Sequence, residues 1–351
     1  MEKRFMTGNE AIAEAAVQAG CRYFFGYPIT PQSELPEYLA RRLPEVGGCF
    51  LQAESEIAAI YMVFGAAGAG ARVLTSSSSP GISLKQEGIS YIAGAWLPCV
   101  IVNIMRGGPG LGGIQPSQSD YFQATKGGGH GDYHLVVLAP STVQEAVNLT
   151  MEAFDLADKY RTPVMILGDG YLGQMMEPVE FKKRKQKPLP PKDWTLTGAK
   201  GRPRRIIKTL YLQPEILEQR NLTLNRRYQE IIRNEIRVET YLTEDAEIII
   251  AAYGTVARIA KSAIKILREK GIKAGLVRPI TLFPFPYQTF AQISDKIKKI
   301  LVVEMNLGQM VEDVKLGVCG KAEVYFYGRT GGMVPSYDEI VVEVEKIVRE
   351  P

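Results

Sequence analysis

The sequence predicts an α/β protein, with a doubly wound parallel sheet and a second, smaller α/β domain. Short apolar segments alternate with helical ones over residues 1–176, and the alternation returns over residues 241–351. Between them, residues 177–240 contain a basic, proline-rich linker and a polar connecting segment. A chain of 351 residues has room for two such domains.

The first region opens with a helix signal and continues as regular alternation. Thr7 and Glu10 form the capping-box pattern that starts a helix over 9–19. A proline-rich loop over 27–31 follows the first strand, and an Ala/Gly-rich helix begins near Glu56. The other predicted elements are strands at 23–26, 72–75, 99–105 and 163–167, and helices at 32–42, 84–93 and 143–159.

The second region repeats this pattern at smaller size. A polar amphipathic segment over 215–240 precedes a predicted strand at 247–252 and a helix at 256–270. Gly271 ends that helix. The remaining predicted elements are a strand at 274–277, a helix at 287–299, and strands at 300–303 and 323–327.

Composition and charge limit the location and the partners. No apolar run approaches the ~20 residues of a membrane-spanning helix. The first residues also lack the hydrophobic region of a signal peptide, so we expect a cytoplasmic protein without membrane contact. The formal net charge is +4, and residues 181–210 hold eleven lysines and arginines against Asp193 alone. Prolines punctuate that stretch and aromatic residues are few, which favours a solvated linker or subunit contact over nucleic-acid binding.

The cysteines and histidines give weak functional signals. The four cysteines are scattered without a C-x-x-C pair, at Cys21, Cys49, Cys99 and Cys319. This spacing disfavours an iron–sulfur cluster or structural zinc carried by this chain alone, and we expect each cysteine to be a buried small apolar residue. For His130 and His134, surface or turn positions are favoured over proton shuttling.

Glu56 is the most informative residue, because a carboxylate in an apolar helix is costly to desolvate. Two explanations are open. In the first, Glu54 and Glu56 place negative charge at the positive end of the helix dipole. In the second, Glu56 holds a ring nitrogen of a cofactor and sets its protonation state. Spacing alone favours the first, since acidic helix starts are common.

Two glycine motifs resemble cofactor fingerprints but fail on context. Residues 108–113 match G-x-G-x-x-G after a strand, yet no helix pattern follows and Pro109 interrupts the motif, which disfavours dinucleotide binding. The G-D-G sequence at 168–170 matches the start of the thiamine-diphosphate magnesium motif, which needs an asparagine further along the chain. No asparagine lies between Asn148 and Asn221, so a magnesium ion would lack its oxygen ligands here.

Arg106 ends an apolar strand at the carboxyl edge of the predicted sheet, where ligands usually bind. Its planar guanidinium is suited to clamping a carboxylate. A structural arginine paired with an acid explains the residue equally well.

Five segments together resemble the 2-oxoacid:ferredoxin oxidoreductase family: GYPITPQSEL (26–35), QAESEIAA (52–59), TSSSSPGISLKQEGISY (75–91), VNIMRGGPG (102–110) and ILGDGYLGQ (166–174). The resemblance covers essentially the whole chain and fits the alpha-type subunit of a multi-subunit enzyme. It implies a thiamine-diphosphate-binding, pyrimidine-type domain over 1–176 and a transketolase C-terminal-like domain over 241–351. The motif wording leans toward the branched-chain, 2-oxoisovalerate members, and 2-oxoglutarate and pyruvate variants stay open.

The resemblance also implies residue roles. Glu56 corresponds to the catalytic glutamate that hydrogen-bonds N1′ of the aminopyrimidine and favours the tautomer that removes the thiazolium proton. Pro28 and Ile29 belong to the loop that binds the cofactor. Thr30 matches a threonine that touches the substrate, and Arg106 matches an arginine that pairs with the substrate carboxylate.

The implied enzyme acts only as a complex. A beta-type subunit is expected to hold Mg²⁺ and the diphosphate, a ferredoxin-like delta subunit the [4Fe-4S] clusters, and a gamma subunit completes the unit. A dimer of such hetero-oligomers would decarboxylate a 2-oxoacid, reduce ferredoxin and transfer the acyl group to coenzyme A. The alternative is a non-catalytic interaction subunit in which Glu56 only caps a helix.

Overall fold

The computed structural model describes residues 3–182 and 188–349. Lys183, Arg184, Lys185 and Lys187 of the predicted basic stretch lie outside the described residues. The elements follow in the order β1 (Arg4–Thr7), α1 (Gly8–Gln18), β2 (Tyr23–Gly26), α2 (Glu34–Glu45), β3 (Cys49–Gln52), α3 (Glu56–Gly68), β4 (Val73–Ser77), α4 (Ser79–Gly94), β5 (Cys99–Met105), α5 (Tyr121–Thr125), β6 (Val136–Leu138), α6 (Val143–Tyr160), β7 (Pro163–Asp169), α7 (Gly170–Gln174), β8 (Met176–Val179), α8 (Pro214–Asn234), β9 (Val238–Tyr241), β10 (Ile248–Ala251), α9 (Gly254–Glu269), β11 (Ala274–Pro279), β12 (Thr281–Phe283), α10 (Tyr287–Ser294), β13 (Lys299–Glu304), α11 (Met310–Val318), β14 (Glu323–Gly328) and α12 (Tyr337–Arg349).

The larger sheet has seven strands in the order β12-β6-β7-β5-β4-β2-β3. Every neighbouring pair is parallel except β12 with β6. The central strands β4, β5 and β7 are buried along their whole length, which explains why β5 and β7 are mostly apolar. β4 is buried too, although it ends in Thr75, Ser76 and Ser77. The predicted α/β fold with a parallel sheet is therefore confirmed.

The smaller sheet has five strands in the order β14-β13-β10-β11-β9, and only β9 is antiparallel to its neighbour. The two regions interlock, because β12 lies in the second half of the chain but pairs with β6 of the larger sheet. β8 pairs with β1 and β9 pairs with β11, so these strands cross the predicted domain limits at 176/177 and 240/241.

Several sequence expectations need correction. The predicted helix 287–299 is wrong beyond Ser294, since β13 begins at Lys299. The helix predicted over 84–93 starts earlier, at Ser79. Pro80 is tolerated in its first turn because proline lacks a backbone N–H and the first N–H groups of a helix have no partner within the helix. The sequence did not predict β1, β3, α5, β6, α7, β8, β9, β12, α11 and α12.

The cysteines divide into two pairs. Cys21 and Cys99 are buried, as predicted, but the same expectation is wrong for Cys49 and Cys319, which are exposed. Cys49 lies on an edge strand, and Cys319 follows the last turn of α11. Among the described residues, no helix is both long and apolar enough to cross a membrane.

Candidate active site

Glu56 is the first residue of α3, and its side chain is buried with 7% exposure. Ser55 caps the helix by accepting a hydrogen bond from the Ala58 N–H at 3.1 Å. Its neighbour Glu54 is exposed. A carboxylate that served only the helix dipole would stay in water as Glu54 does, so the burial of Glu56 favours a ligand-binding role.

Two glycines bring α3 and α4 into close contact at this point. A β-carbon at Gly81 would lie 2.7 Å from Oε1 of Glu56, and closer still to Oγ of Ser77. A β-carbon at Gly88, two turns further along α4, would lie 2.8 Å from Cγ1 of Ile60. Glycine at position 81 therefore lets the Glu56 carboxylate lie against α4, and glycine at position 88 lets Ile60 do the same.

Buried polar side chains surround this contact. We use the name buried polar cluster for Gln32, Glu56, Ser76, Ser77, Ser78 and Lys85. Within the described parts of the chain, Nε2 of Gln32 and the hydroxyls of Ser77 and Ser78 have no hydrogen-bond partner. Buried polar atoms without partners are rare in proteins, and they mark places where a ligand or water completes the bonding.

Arg106 lies directly after β5 and is 6% exposed. Its Nη1 donates to the carbonyl oxygen of Thr30 at 2.9 Å, and its Nη2 donates to that of Leu111 at 3.0 Å. The guanidinium is thus held by backbone oxygens, and its buried Nε has no partner among the described residues. The structure thus places the Arg106 guanidinium against the backbone of Thr30.

The loop after β2 forms the outer side of this region. Pro28 and Thr30 are exposed and Ile29 is partly buried. One cavity of about 560 Å³ is lined by Thr30, Ile114 and Tyr171, and another of about 730 Å³ by Arg106, Leu84 and other residues of both domains. Both cavities lie where parallel strands end, which is the usual ligand edge of such a sheet.

The two glycine motifs have structural roles. Gly112 has a φ of +59°, and its hypothetical β-carbon would overlap the carbonyl of Gly107, so the segment is a tight loop. The prediction that it does not open a helix is confirmed. Asp169 is buried and accepts hydrogen bonds from the N–H groups of Tyr171 and Leu172, at 2.9 and 3.0 Å, as the cap of α7.

The two histidines differ. His130 is exposed, as predicted. His134 is partly buried, with its ring stacked on Phe283 at 4.2 Å and edge-on to Tyr228, so a surface or turn position is wrong for it. Burial lowers the pKa of His134. Its neighbours come from the second half of the chain, which local sequence does not reveal.

Sequence reasoning missed Lys85 and Gln32. Lys85 is fully buried on α4. The hydroxyl of Ser76 donates a hydrogen bond to Oε1 of Gln32. The available signal was a lone lysine one turn after Gly81, on the face of α4 that also carries Gly88.

Two families of known proteins match consecutive parts of the chain. Residues 14–248 match the family of pyruvate flavodoxin/ferredoxin oxidoreductases, thiamine-diphosphate-binding domain. Residues 246–340 match core domain II of pyruvate:ferredoxin oxidoreductase. The chain is 49% identical to the ketoisovalerate oxidoreductase subunit VorB of Methanothermobacter marburgensis, over 100% of this chain and 99% of the relative. It is 39% identical to the 2-oxoglutarate synthase subunit KorA of Methanothermobacter thermautotrophicus, over 99% and 100%.

Two solved structures resemble the whole chain. The 2-oxoglutarate:ferredoxin oxidoreductase of Magnetococcus marinus, solved with 2-oxoglutarate, coenzyme A and succinyl-CoA, has a TM-score of 0.85 and 27% identity over 99% of this chain and 66% of that chain. A split-gene transketolase in an inactive β4 tetramer has a TM-score of 0.62 and 15% identity over 97% of each, which shows the shared fold. The chain therefore belongs to the 2-oxoacid:ferredoxin oxidoreductase family, as an oxidoreductase subunit with the family's thiamine-diphosphate-binding fold.

Proposed function

We propose that this chain is the alpha-type subunit of a 2-oxoacid:ferredoxin oxidoreductase and supplies the aminopyrimidine side of its thiamine diphosphate site. The observation that carries the proposal is the buried Glu56 carboxylate at the carboxyl edge of the sheet. The reaction converts a 2-oxoacid and coenzyme A into acyl-CoA and CO₂ while ferredoxin is reduced. The 49% identity to a ketoisovalerate oxidoreductase subunit, against 39% to a 2-oxoglutarate synthase subunit, favours 2-oxoisovalerate.

The buried polar cluster fits the polar edge of an aminopyrimidine. Glu56 is a proton donor or acceptor, and Gln32, Ser77 and Ser78 each present a buried atom without a partner among the described residues. When bound, thiamine diphosphate supplies the nucleophilic carbon and the electron sink for decarboxylation of the 2-oxoacid. Glu56 holds the proton at the ring nitrogen N1′, which sets the ring's tautomer. Pro28 and Ile29 form the adjacent surface of the cofactor site.

Arg106 and Thr30 bind the 2-oxoacid in this proposal. The two guanidinium bonds to Thr30 and Leu111 fix the orientation of Arg106 before a ligand arrives, which lowers the entropic cost of binding. Nε of Arg106 is the donor that the structure leaves for a carboxylate. The exposed Thr30 side of the loop faces the cavity next to Ile114, an apolar residue suited to a branched side chain.

The outer face of α3 has the apolar character of a surface that a partner subunit covers. Ile57, Tyr61 and Met62 are 47%, 37% and 36% exposed on a helix that is apolar on all sides, which is typical of a helix buried in an assembly. We infer that a beta-type subunit covers this face and brings Mg²⁺ and the diphosphate. The gamma subunit, a ferredoxin-like delta subunit with [4Fe-4S] clusters, the cytoplasmic location and the dimeric assembly of hetero-oligomers remain parts of the same proposal.

Replacement of Glu56 by Gln in the complete complex tests the catalytic role. We expect at least a ~100-fold loss of 2-oxoacid-dependent ferredoxin reduction, because the amide keeps the shape but cannot exchange the proton. Glu54→Gln is the matched control, since it makes the same change at an exposed position two residues away. Near-normal activity of Glu56→Gln would instead support a non-catalytic interaction subunit.

A substrate panel tests the specificity. The purified complex is assayed with 2-oxoisovalerate, 2-oxoglutarate and pyruvate, and we expect the highest kcat/KM for 2-oxoisovalerate. A preference for either other 2-oxoacid would overturn the branched-chain assignment without affecting the family or the role of Glu56.

A further inference from the structure

Asp120 is a carboxylate of the larger cavity to which the proposed function assigns no role. It lies directly before α5, is partly buried, and lines the cavity of about 730 Å³ together with Arg106. Its Oδ2 accepts two hydrogen bonds, from Oγ of Ser79 at 2.6 Å and from Nδ2 of Asn103 at 2.9 Å. Both donors are neutral side chains that are themselves buried. Hydrogen bonds to a carboxylate are short and strong, so Asp120 fixes both partners.

These contacts join three elements at one point. Ser79 is the first residue of α4, and Asn103 is on β5, three residues before Arg106. Oδ1 of Asn103 accepts a hydrogen bond from the N–H of Ser79 at 3.1 Å. Ser78, the residue before the helix, makes no side-chain capping bond within the described part of the chain, so Asn103 takes that place. The start of α4, the end of β5 and the segment before α5 are therefore tied together.

Ser79 passes this constraint to the backbone of Arg106. Its Oγ accepts a hydrogen bond from the N–H of Arg106 at 3.0 Å and lies 3.3 Å from the carbonyl oxygen of the same residue. A hydroxyl group has a single hydrogen to donate. The contact with Asp120 is the shorter one and ends on a carboxylate, so it takes that hydrogen and leaves the oxygen lone pairs for the Arg106 N–H. Without Asp120, the hydroxyl turns toward the carbonyl of Arg106.

The position of the Arg106 backbone decides where its guanidinium lies. Arg106 follows β5 directly, and its Nη1 and Nη2 reach the carbonyl oxygens of Thr30 and Leu111, on two separate loops. A shift of the backbone therefore moves the guanidinium relative to both loops at once. Displacements of about 1 Å in a binding group are enough to reduce activity by up to roughly 100-fold.

We propose that Asp120 is a positioning residue for Arg106, because it fixes the Ser79 hydroxyl that holds the Arg106 backbone in the place where the guanidinium meets the substrate carboxylate. This inference rests on the proposed substrate role of Arg106 and deepens it. Asp120 is not itself a catalytic residue, and its effect reaches the substrate through Ser79 and Arg106.

The first test replaces Asp120 by Ala in the complete complex. We expect the KM for 2-oxoisovalerate to rise by ~10-fold or more, because the guanidinium is no longer held in a fixed geometry before the substrate binds. The kcat should stay within about threefold, as for the loss of an interaction that ground state and transition state share. Asp120→Asn retains an oxygen that accepts from both Ser79 and Asn103, and should restore the KM to within about threefold of the unaltered value.

A binding measurement without turnover is the second test. Isovalerate has the carboxylate and the branched chain but no 2-oxo group, so it is not decarboxylated by this chemistry. Calorimetric titration of the complex with isovalerate should show the same ~10-fold weakening in Asp120→Ala as the KM does. Isovaleramide, which lacks the negative charge, should bind equally to the unaltered complex and to Asp120→Ala.

Two further variants separate positioning from a general loss of stability. Asp158→Ala is the matched control, since it removes a buried carboxylate that pairs with Arg72 and Lys192 near the start of β7, at the opposite edge of the sheet. Its KM should remain unchanged. Ser79→Ala should raise the KM as Asp120→Ala does, and the double variant should rise no further, because both changes break one path.

The outcomes are distinguishable. An unchanged KM and unchanged isovalerate binding in a folded, assembled Asp120→Ala complex, an equal rise in Asp158→Ala, or effects of Ser79→Ala and Asp120→Ala that multiply would overturn the role of Asp120. Normal isovalerate binding by Arg106→Met would instead overturn the proposed substrate role of Arg106. Where Asp120→Ala does not assemble, Ser79→Ala removes the same link, and the same rise in KM is required of it.

Discussion

Two buried charged regions of this molecule are built in opposite ways. The interdomain network, which we define as Arg278 with Glu145, Glu239 and Ser141, is fully bonded. The buried polar cluster around Glu56 contains a lysine with one hydrogen bond and three side-chain atoms without partners in the described residues. The two regions lie in one chain, yet only the first is complete within it.

The interdomain network joins β9 and β11 of the smaller sheet to the start of α6 in the first region. Nη1 and Nη2 of Arg278 donate to the two carboxylate oxygens of Glu145 at 2.8 and 2.7 Å, and Nε donates to Glu239 at 2.6 Å. Burial raises the pKa of Glu145, but the Arg278 guanidinium outweighs burial and holds it below its usual value. Such a two-pronged, charge-assisted arrangement stabilises the domain arrangement and leaves no polar atom for a ligand.

The comparison separates structural charge from functional charge. A buried network that satisfies itself is explained by the fold. A buried cluster that remains incomplete lowers the stability of the isolated chain and is retained where a ligand or partner completes it. The unpartnered atoms of Gln32, Ser77 and Ser78 therefore support the placement of the site beside Glu56.

The largest expected effect breaks the complete network. Arg278→Met should lower the free energy of unfolding by roughly 3–5 kcal/mol, because the partly buried Glu145 carboxylate loses its counter-charge and Glu239 keeps only Lys261, among the described residues, as a cationic partner. Arg258→Met is the matched control, since Arg258 makes a partly exposed ion pair with Glu177. Loss of this ion pair in Arg258→Met should lower the free energy of unfolding by less than about 1 kcal/mol. Denaturant unfolding of the purified chain measures both, and equal effects would contradict the contrast between the two regions.

A smaller effect of opposite sign is expected at the incomplete cluster. Because burial lowers the pKa of Lys85 from 10.5 to about 8, its positive charge destabilises the folded state. At pH 7, Lys85→Met should therefore raise the free energy of unfolding by on the order of 3 kcal/mol. For the unaltered chain, this destabilising contribution is absent above pH 10.5 and fully present below pH 8, so stability falls as the pH falls from 10.5 through 8. Destabilisation by Lys85→Met at pH 7 would show that the lysine is structural.

The smallest effect concerns His134, which belongs to neither region. Burial holds its folded pKa below 6.5, so its contribution to stability is present above pH 6.5 and is lost as pH falls through the folded value. His134→Phe keeps the stacking on Phe283 and should flatten the acid side of the stability profile. His130→Phe, at an exposed position, should leave the profile unchanged. If the free energy of unfolding of His134→Phe falls with acidification as steeply as that of the unaltered chain, the acid sensitivity comes from carboxylates elsewhere.

Local patterns predicted much of the fold because their causes are local. The capping box of Thr7 and Glu10 is present, with both reciprocal hydrogen bonds, and the continuous apolar strand Cys99–Met105 is found as predicted. Prediction was wrong or silent where the cause lies far away in the chain. β12 joins the larger sheet from residues 281–283, and the ring of His134 is covered by residues more than ninety positions later.

The candidate site divides in the same way. The sequence by itself determined the family, the identity of Glu56, Thr30 and Arg106 as candidates, and their place after strands of one sheet, since parallel strands end at a common edge. Only the tertiary structure decided that Glu56 is buried against Gly81, that Arg106 is held by backbone carbonyls, and that Lys85 belongs to the site. The physical reason is that burial and charge compensation depend on contacts between separate elements, and these contacts exist only when α3, α4 and the sheet are packed together.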